Sequence, residues 1–212
     1  AAKYKFEEAK WDLEWKLSPT FSRIKDPDIR FTRYENIDGG VRISTETGFP
    51  ERIWRDLYEI NGVALVAAKK SYEAFGSKAE LKVGSGYSYK QRDFSIKNFQ
   101  VNVRGDIPLT GDPDELFQDE NLWPYLGNPS EGTTIETPFL PSNPNSFNSK
   151  ISNISAYVSN QATIGKKFKS IIGLRTEYYT HRYTGQDQLG TNVLNNDKVL
   201  ENLGLFPSVN LV

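Results

Sequence analysis

Residues 9–17 read AKWDLEWKL. Every second side chain from Trp11 to Leu17 is large and apolar, and the side chains between them are charged, which is the two-residue period of a β-strand. On a strand, Trp11 and Trp15 lie on one face with the two leucines, and these three charges lie on the other together with that of Lys10. On a helix, both sets would be spread around the axis. The stretch therefore predicts a strand with one apolar and one charged face.

Further segments show the same alternation or are compatible with it. They are 56–70, 79–89, 151–164, 170–183 and the start of a last strand at 205–212. In the first of them, the continuous apolar run 63–68 fits a buried helical turn as well as a strand, because periodicity alone does not separate the two. The others favour strands, since their apolar residues recur at every second position.

The connections between these strands alternate in length. Short connections are predicted at 71–78 and 165–169, whereas the long loops are rich in Pro, Gly, Asn and Asp and cover about 18–55, 99–150 and 184–204. The first long loop has room for one hairpin. Loops of this length are usually functional. We therefore predict an all-β, antiparallel meander of about six strands over residues 1–212, and alternating short turns and long loops are typical of a transmembrane β-barrel.

Composition excludes several classes of protein. The 212 residues carry a formal net charge of −1, which provides no global field to attract nucleic acid. There is no cysteine, so disulfides, thiol nucleophiles and cysteine-bound metals are excluded. No apolar run approaches the roughly 20 residues of a membrane helix, but a membrane strand needs only about 9–11. A mean hydropathy of −0.57 is therefore compatible with a membrane barrel.

Few residues carry a pattern that indicates chemistry. The lone histidine, His181, is expected to be a solvated side chain on the polar face. The acidic residues in 112–120 lack the spacing of a calcium loop, and we expect solvated loop charges. Trp123 and Tyr125 are the candidates for a ligand-binding surface, since exposed loop aromatics stack on sugars, although packing against the rim is equally compatible. We predict no catalytic residue, metal or cofactor, and a protein that is not an enzyme.

Several segments together resemble a known family. They are PERIWRDL at 50–57, AELKVGSGYSYKQRDF at 79–94, GDPDELF at 111–117, IGLRTE at 172–177, RYTGQ at 182–186 and LFPSVNL at 205–211. In this order, they resemble the barrel region of TonB-dependent outer-membrane receptors of Bacteroidetes-type bacteria. The likeness covers most of the chain from about residue 50 onward.

The resemblance implies a large antiparallel barrel in the cell outer membrane that imports a siderophore, a vitamin complex or a glycan. The expected partners are outer-membrane lipid, the nutrient ligand and, through a plug domain that this chain lacks, the TonB system. Nucleic acid is not among them. The chain is then a middle portion of the barrel domain, and its open edges and apolar face would favour self-association in water. The alternative is a soluble, secreted β-sandwich that binds carbohydrate, with its apolar stripes packed on a second sheet.

Overall fold

A computed structural model describes residues 1–46, 48–74, 76–105, 107, 109–123, 130–137, 145–164 and 168–211. In these ranges the chain forms β1 (Ala2–Phe6), β2 (Trp11–Phe31), β3 (Tyr34–Ile37), β4 (Gly40–Ile43), β5 (Glu51–Ala74), β6 (Ser77–Arg104), β7 (Gly132–Glu136), β8 (Phe147–Ile164), β9 (Phe168–Gln186) and β10 (Val193–Leu211). A short 3-10 helix, η1 (Pro113–Phe117), lies between β6 and β7.

The strands form one large antiparallel sheet and one small hairpin. Seven strands of the sheet follow the order β1-β2-β5-β6-β8-β9-β10, and the eighth, β7, pairs with the C-terminal end of β6. The hairpin consists of β3 and β4. Consecutive long strands lie side by side, which confirms the predicted all-β, antiparallel meander. The apolar run 63–68 belongs to β5, so the strand interpretation of that run is confirmed and the helical one is wrong.

The three predicted long loops are shorter than expected. β2 continues to Phe31, and β3 and β4 form the hairpin anticipated within 18–55. β6 continues to Arg104 and β8 begins at Phe147, so the connection predicted at 99–150 also loses residues at both ends. β10 begins at Val193, inside the loop predicted at 184–204. The strand number was likewise underestimated.

Proline explains much of the difference between the predicted and the observed strand ends. It indicates a turn in a sequence, although an edge strand tolerates it. β1 pairs only with the first five residues of β2, so among the described residues the outer edge of β2 has no partner beyond Trp15. Pro19 lies on that edge, and Pro27 lies in a bulge between Asp26 and Ile29. The other edge strand, β10, accommodates Pro207 in the same way.

The register gathers a continuous set of apolar side chains on one face of the sheet and many charged side chains on the other, because directly paired residues in an antiparallel sheet point to the same side. We call one side the apolar face. It carries Tyr4, Phe6, Trp11, Leu13, Trp15, Leu17, Phe21, Ile60, Ala64, Val66, Ala68, Leu81, Val83, Tyr87, Tyr89, Ile154, Ala156, Val158, Ile172, Leu174, Tyr178, Leu203, Leu205 and Val209. The opposite side, the polar face, carries Asp12, Glu14, Lys16, Thr20, Glu59, Asn61, Lys82, Lys90, Arg92, Asn153, Ser155, Arg175, Glu177 and His181.

The apolar residues form a band at the end of the sheet where the short connections lie. On β2 the band runs from Trp11 to Phe21, and Arg23 and Lys25 follow on the same face. β6 is 28 residues long and extends well past the band toward the long connections. Beyond the band, charged residues occur on both faces. The sheet therefore has an apolar band near the short connections and an extension with charged residues toward the long connections.

The long connections fold back on this extension and bury a small core, which we call the loop cluster. It consists of Ile43, Val101 and Leu116, with Val103, Leu109 and Phe117 packed against them. The buried carboxylate of Glu115 accepts hydrogen bonds from the amide and hydroxyl of Thr110 and the amide of Gly111, at 2.7–2.8 Å. A buried charge is tolerated when it is hydrogen-bonded in this way. The β3–β4 hairpin, β6 and η1 are thus joined.

Arg52 connects the loop cluster to the sheet. Its guanidinium donates to both carboxylate oxygens of Asp28, at 2.7 and 2.6 Å, and lies 5.1 Å from the ring centroids of Trp54 and Phe117. This pairing with Arg52 is the main reason that the pKa of Asp28 falls to about 2. A forked ion pair between two aromatic rings fixes the position of η1 against β5.

We predict that Leu116→Ala opens the loop cluster without unfolding the sheet. Removing this fully buried side chain leaves a cavity that costs about 2–5 kcal/mol, which is comparable with the stability of so small a core. Amide hydrogen exchange should then lose protection at Val101 and Thr133 but keep it at the β5–β6 pairs. Leu189→Ala, at a side chain that is 70% exposed, is the control and should change nothing. Unchanged protection at Val101 would show that the cluster does not hold the loops.

Candidate ligand site at the loop end of the polar face

Trp123 lies in the long connection between β6 and β7, and its ring is on the polar-face side, beside Arg104. Leu122 forms a parallel bridge with Thr133, and the Trp123 amide donates to the carbonyl of Thr133 at 3.1 Å. The indole is partly buried. The second predicted aromatic, Tyr125, lies outside the described residues. The structure thus anchors Trp123 by its backbone to β7.

Pairing of β7 with the end of β6 brings four polar side chains to the same place. Asn102, Arg104, Thr134 and Glu136 all point to the polar face, because Asn102 pairs with Thr134 and Gln100 pairs with Glu136. The Glu136 carboxylate accepts from Thr134 Oγ1 at 2.9 Å, Arg104 Nη2 at 3.1 Å and Asn102 Nδ2 at 3.3 Å. We call these four residues with Trp123 the Trp123 cluster.

Arg104 joins the carboxylate to the aromatic ring. Its guanidinium lies 4.6 Å from the centroid of Trp123, within the range of a cation–π contact, while it also bonds Glu136. The hydrogen bond from Thr134 is the largest cause that lowers the pKa of Glu136, followed by those from Asn102 and Arg104. The Arg104 and Glu136 side chains remain 40% and 41% exposed. The cluster is therefore an ionised, water-accessible group of donors and acceptors beside an indole.

This arrangement is suited to binding a polar ligand. An indole face contacts the apolar face of a sugar or another ring, and the carboxylate, guanidinium and amide can exchange hydrogen bonds with its hydroxyl or carboxyl groups. Packing is visible in the same residues, since Arg104 covers one side of the Trp123 ring. The two interpretations of Trp123 that the sequence allowed are thus both compatible with its surroundings.

The lone histidine has a hydrogen-bond partner that the sequence did not indicate. His181 Nε2 lies 2.8 Å from Ser149 Oγ, and the Tyr183 ring meets the imidazole edge-on at 6.4 Å. Phe147 stacks on Tyr183 at 5.7 Å. A serine next to a histidine needs a carboxylate on the other imidazole nitrogen and an oxyanion site to act as a hydrolase. In the parts of the chain that the structure describes, His181 has no such carboxylate partner, and the pair forms part of the polar face.

Three of the five acidic residues in 112–120 serve the local fold, and the other two, Asp119 and Glu120, are exposed. Asp112 caps η1 by accepting from the Asp114 amide at 2.9 Å, Asp114 pairs with Arg30 at 3.1 Å, and Glu115 lies buried in the loop cluster. Across the described ranges, no three histidine or acidic side chains are grouped so that they could hold a metal ion. Nor does any described helix have the length and apolar character needed to cross a membrane.

Comparison with known proteins adds no identification. No known family model matches the chain, and no curated protein matches it.

We predict that Thr134→Val raises the pKa of Glu136. Valine has almost the same shape but cannot donate the hydrogen bond that stabilises the ionised carboxylate, so the protonated form becomes relatively more favourable. Carbon-detected NMR titration of the Glu136 side chain measures the change. Thr163→Val, on another strand, is the control and should leave this pKa where it is. An unchanged value in Thr134→Val would mean that the Trp123 cluster is not assembled in solution.

Proposed function

We propose that the chain is part of the wall of an outer-membrane β-barrel receptor of the TonB-dependent type, which takes up a nutrient ligand. The observation that supports this most strongly is the apolar band. Seven neighbouring strands contribute side chains to it, and all of these point to one face of the sheet. The resemblance in sequence supports the same family.

The width of the band suits a bilayer. On β2 it extends from Trp11 to Phe21, which corresponds to the roughly 9–11 residues that a tilted strand uses to cross the hydrocarbon core. Its side chains are exposed, for example 63% for Leu17 and 66% for Leu205. Monomeric soluble proteins rarely expose a continuous apolar surface of this extent. Lipid is the environment in which these side chains need no further protein cover.

A soluble β-sandwich is the competing proposal, and it requires a second sheet over the apolar face. Among the described residues, the only other sheet is the hairpin of β3 and β4, two strands of four residues each. It packs into the loop cluster through Ile43, beyond the band. The exposure of Val158 and Leu174 in the middle of the band, 43% and 46%, is the specific observation against a sandwich built from this chain alone.

The polar face has the character of a wall that lines water. On β5 and β6, Glu59 pairs with Lys90 and Arg92 and accepts from Asn61. On β8 and β9, Glu177 pairs with Arg175 and accepts from Asn153 at 3.2 Å. Arg175, Glu177 and Asn153 thus form a second charged network on this face. Charged residues inside a membrane barrel are tolerated where they face an aqueous interior.

In this proposal, the long connections face the outside and the Trp123 cluster contributes to ligand recognition. A siderophore, a vitamin complex and a glycan each carry hydroxyl or carboxyl groups that the cluster is suited to bind. Uptake energy would come from the TonB system through the plug of the parent protein, and the chain itself would act as a receptor wall and not as an enzyme.

We predict that Val158→Arg impairs insertion into lipid and that Ser159→Arg, one residue further along, does not. An arginine at mid-depth on the lipid side of a barrel costs about 2–4 kcal/mol, whereas one on the water side costs little. Both chains are refolded into phosphatidylcholine vesicles, and the inserted fraction is measured by vesicle flotation. Equal insertion of the two variants would contradict the assignment of faces. A wild-type chain that stays a compact monomer without lipid and ignores vesicles would favour the soluble alternative.

We also predict that Trp123→Ala weakens binding of the nutrient ligand about two- to tenfold, since a ring contact of this kind contributes about 0.5–1.5 kcal/mol. Representative siderophores, vitamin complexes and oligosaccharides are titrated against the lipid-inserted chain by calorimetry. Trp15→Ala, in the band, is the control and should not alter ligand affinity. A ligand that binds both variants and wild type equally well would exclude Trp123 from the binding site.

A further inference from the structure

A cleft of about 410 Å³ opens on the same side as the apolar band, just beyond its end, between β2, β5 and β6. Its lining is Lys25, Asp26, Pro27, Trp54, Arg55, Asp56, Ser95, Lys97 and Phe99. The register explains its composition. In the strand register, Lys25 lies directly opposite Asp56, and Trp54 lies directly opposite Lys97. All four side chains therefore point to the apolar-face side. The Trp123 cluster lies on the opposite face, so the cleft is a separate feature.

The cleft has unpaired positive charge. Both of its acids are already held by arginines, since Asp56 is forked by Arg23 and Asp26 pairs with Arg55 at 3.0 Å. The pairing with Arg23 lowers the pKa of Asp56, which keeps this carboxylate ionised and engaged. The ammonium groups of Lys25 and Lys97 have neither a hydrogen bond nor an ion pair within the described residues. Both lysines are exposed.

The base of the cleft is aromatic. Trp54 and Phe99 meet edge to face, with their centroids 5.6 Å apart and their planes at 75°. Arg52 lies against the Trp54 ring and holds it in place. Lys25 still acts on Asp56 at longer range, since its charge contributes to the lowered pKa of that carboxyl. An aromatic surface beside two ammonium groups that lack a direct ion pair is complementary to an anion that is attached to an apolar or ring-shaped body, because the rings contact the body while the lysines contact the charge.

The height of the cleft relative to the band indicates the source of that anion. Lys25 follows Phe21, the last apolar residue of the band on β2, by four positions, which is about 13 Å along the strand and about 9 Å in height at a tilt of about 45°. The headgroup layer of a bilayer is about 5–8 Å thick on each side of the hydrocarbon core. Lysine side chains that extend back toward the band therefore reach this layer.

We propose that the cleft between β2, β5 and β6 binds the phosphate of a membrane-lipid headgroup, with Lys25 and Lys97 contacting the phosphate and Trp54 and Phe99 contacting the body of the lipid. This inference rests on the proposed function, because it requires the apolar face to lie against lipid. It adds a specific anionic lipid site on the outside of the wall, in addition to the non-specific contact between the band and acyl chains.

The test uses the chain in neutral maltoside micelles, titrated with a six-carbon phosphatidylglycerol that dissolves as a monomer. We expect saturable binding in calorimetry, and binding about tenfold or more weaker in the double variant Lys25→Gln/Lys97→Gln, since each lysine near an anionic headgroup contributes about 1 kcal/mol. The matched control is Lys5→Gln/Lys78→Gln, which removes the same charge from exposed lysines at the other end of the sheet and should bind like wild type.

The remaining outcomes separate the inference from the proposed function. Phosphatidylglycerol binding that is absent, or equal in the two double variants, overturns the lipid site. Inorganic phosphate that binds as tightly as phosphatidylglycerol also overturns it, because the lipid body then makes no contribution. In both cases the proposed function survives if the chain enters the micelles. A chain that does not associate with micelles at all contradicts the proposed function first, and the lipid site with it.

Discussion

The fold depends on one constraint: a two-residue alternation that stays in phase across neighbouring strands. A slip of one residue in any pair would turn that strand's apolar set to the polar face. β5 and β6 show how the phase is kept, since they pair from Glu51 with Gln100 to Ala74 with Ser77 without a register shift. The irregularities occur in the edge strands, at Asp26/Ile29 in β2 and at Leu194/Asp197 and Lys198/Leu200 in β10. All three lie beyond the apolar band, where a change of phase does not expose or bury it.

Outside the band the same sheet is organised by different forces. The extension of β5 and β6 carries charged residues on both faces, and ion pairs together with the loop cluster stabilise it. Asp28 illustrates the connection. Its backbone adopts a left-handed conformation with φ of 56° inside the bulge of β2, and its carboxylate is thereby placed on Arg52. The irregularity in the edge strand thus joins the sheet to η1.

The sequence predicts the strands well where alternation is strict and less well where it is not. Residues 11–17 and 79–89 were assigned correctly because one face is apolar at almost every position, Ser85 being the exception. The apolar run 63–68 was ambiguous because Val63 and Leu65 point to the polar face, and the sequence does not show that Leu65 lies there beside Gly86. Beyond Leu17, the strand was missed because Pro19 and Pro27 indicate turns unless the strand is known to be at an edge.

For the candidate site, the sequence indicated one residue and not its surroundings. Trp123 stands out as an aromatic in a polar loop, but Arg104 and Glu136 become its neighbours only through the pairing of β6 with β7, which a local pattern does not specify. The same is true of Ser149 and His181, which are 32 positions apart. Lys25 and Lys97 line one cleft only because β5 lies between their strands. Short-range periodicity predicts faces, and the combination of strands determines sites.

The most direct test of the account is the environment of alternate residues along β8. The chain has no cysteine, so single cysteines can be introduced at each position from 154 to 161 and spin-labelled in lipid vesicles. The account predicts that labels at even positions are accessible to oxygen, which dissolves in the bilayer, and that labels at odd positions are accessible to a water-soluble nickel chelate. Equal access of both reagents along the strand, or an alternation of opposite phase, would contradict the claim that the apolar face lies against lipid.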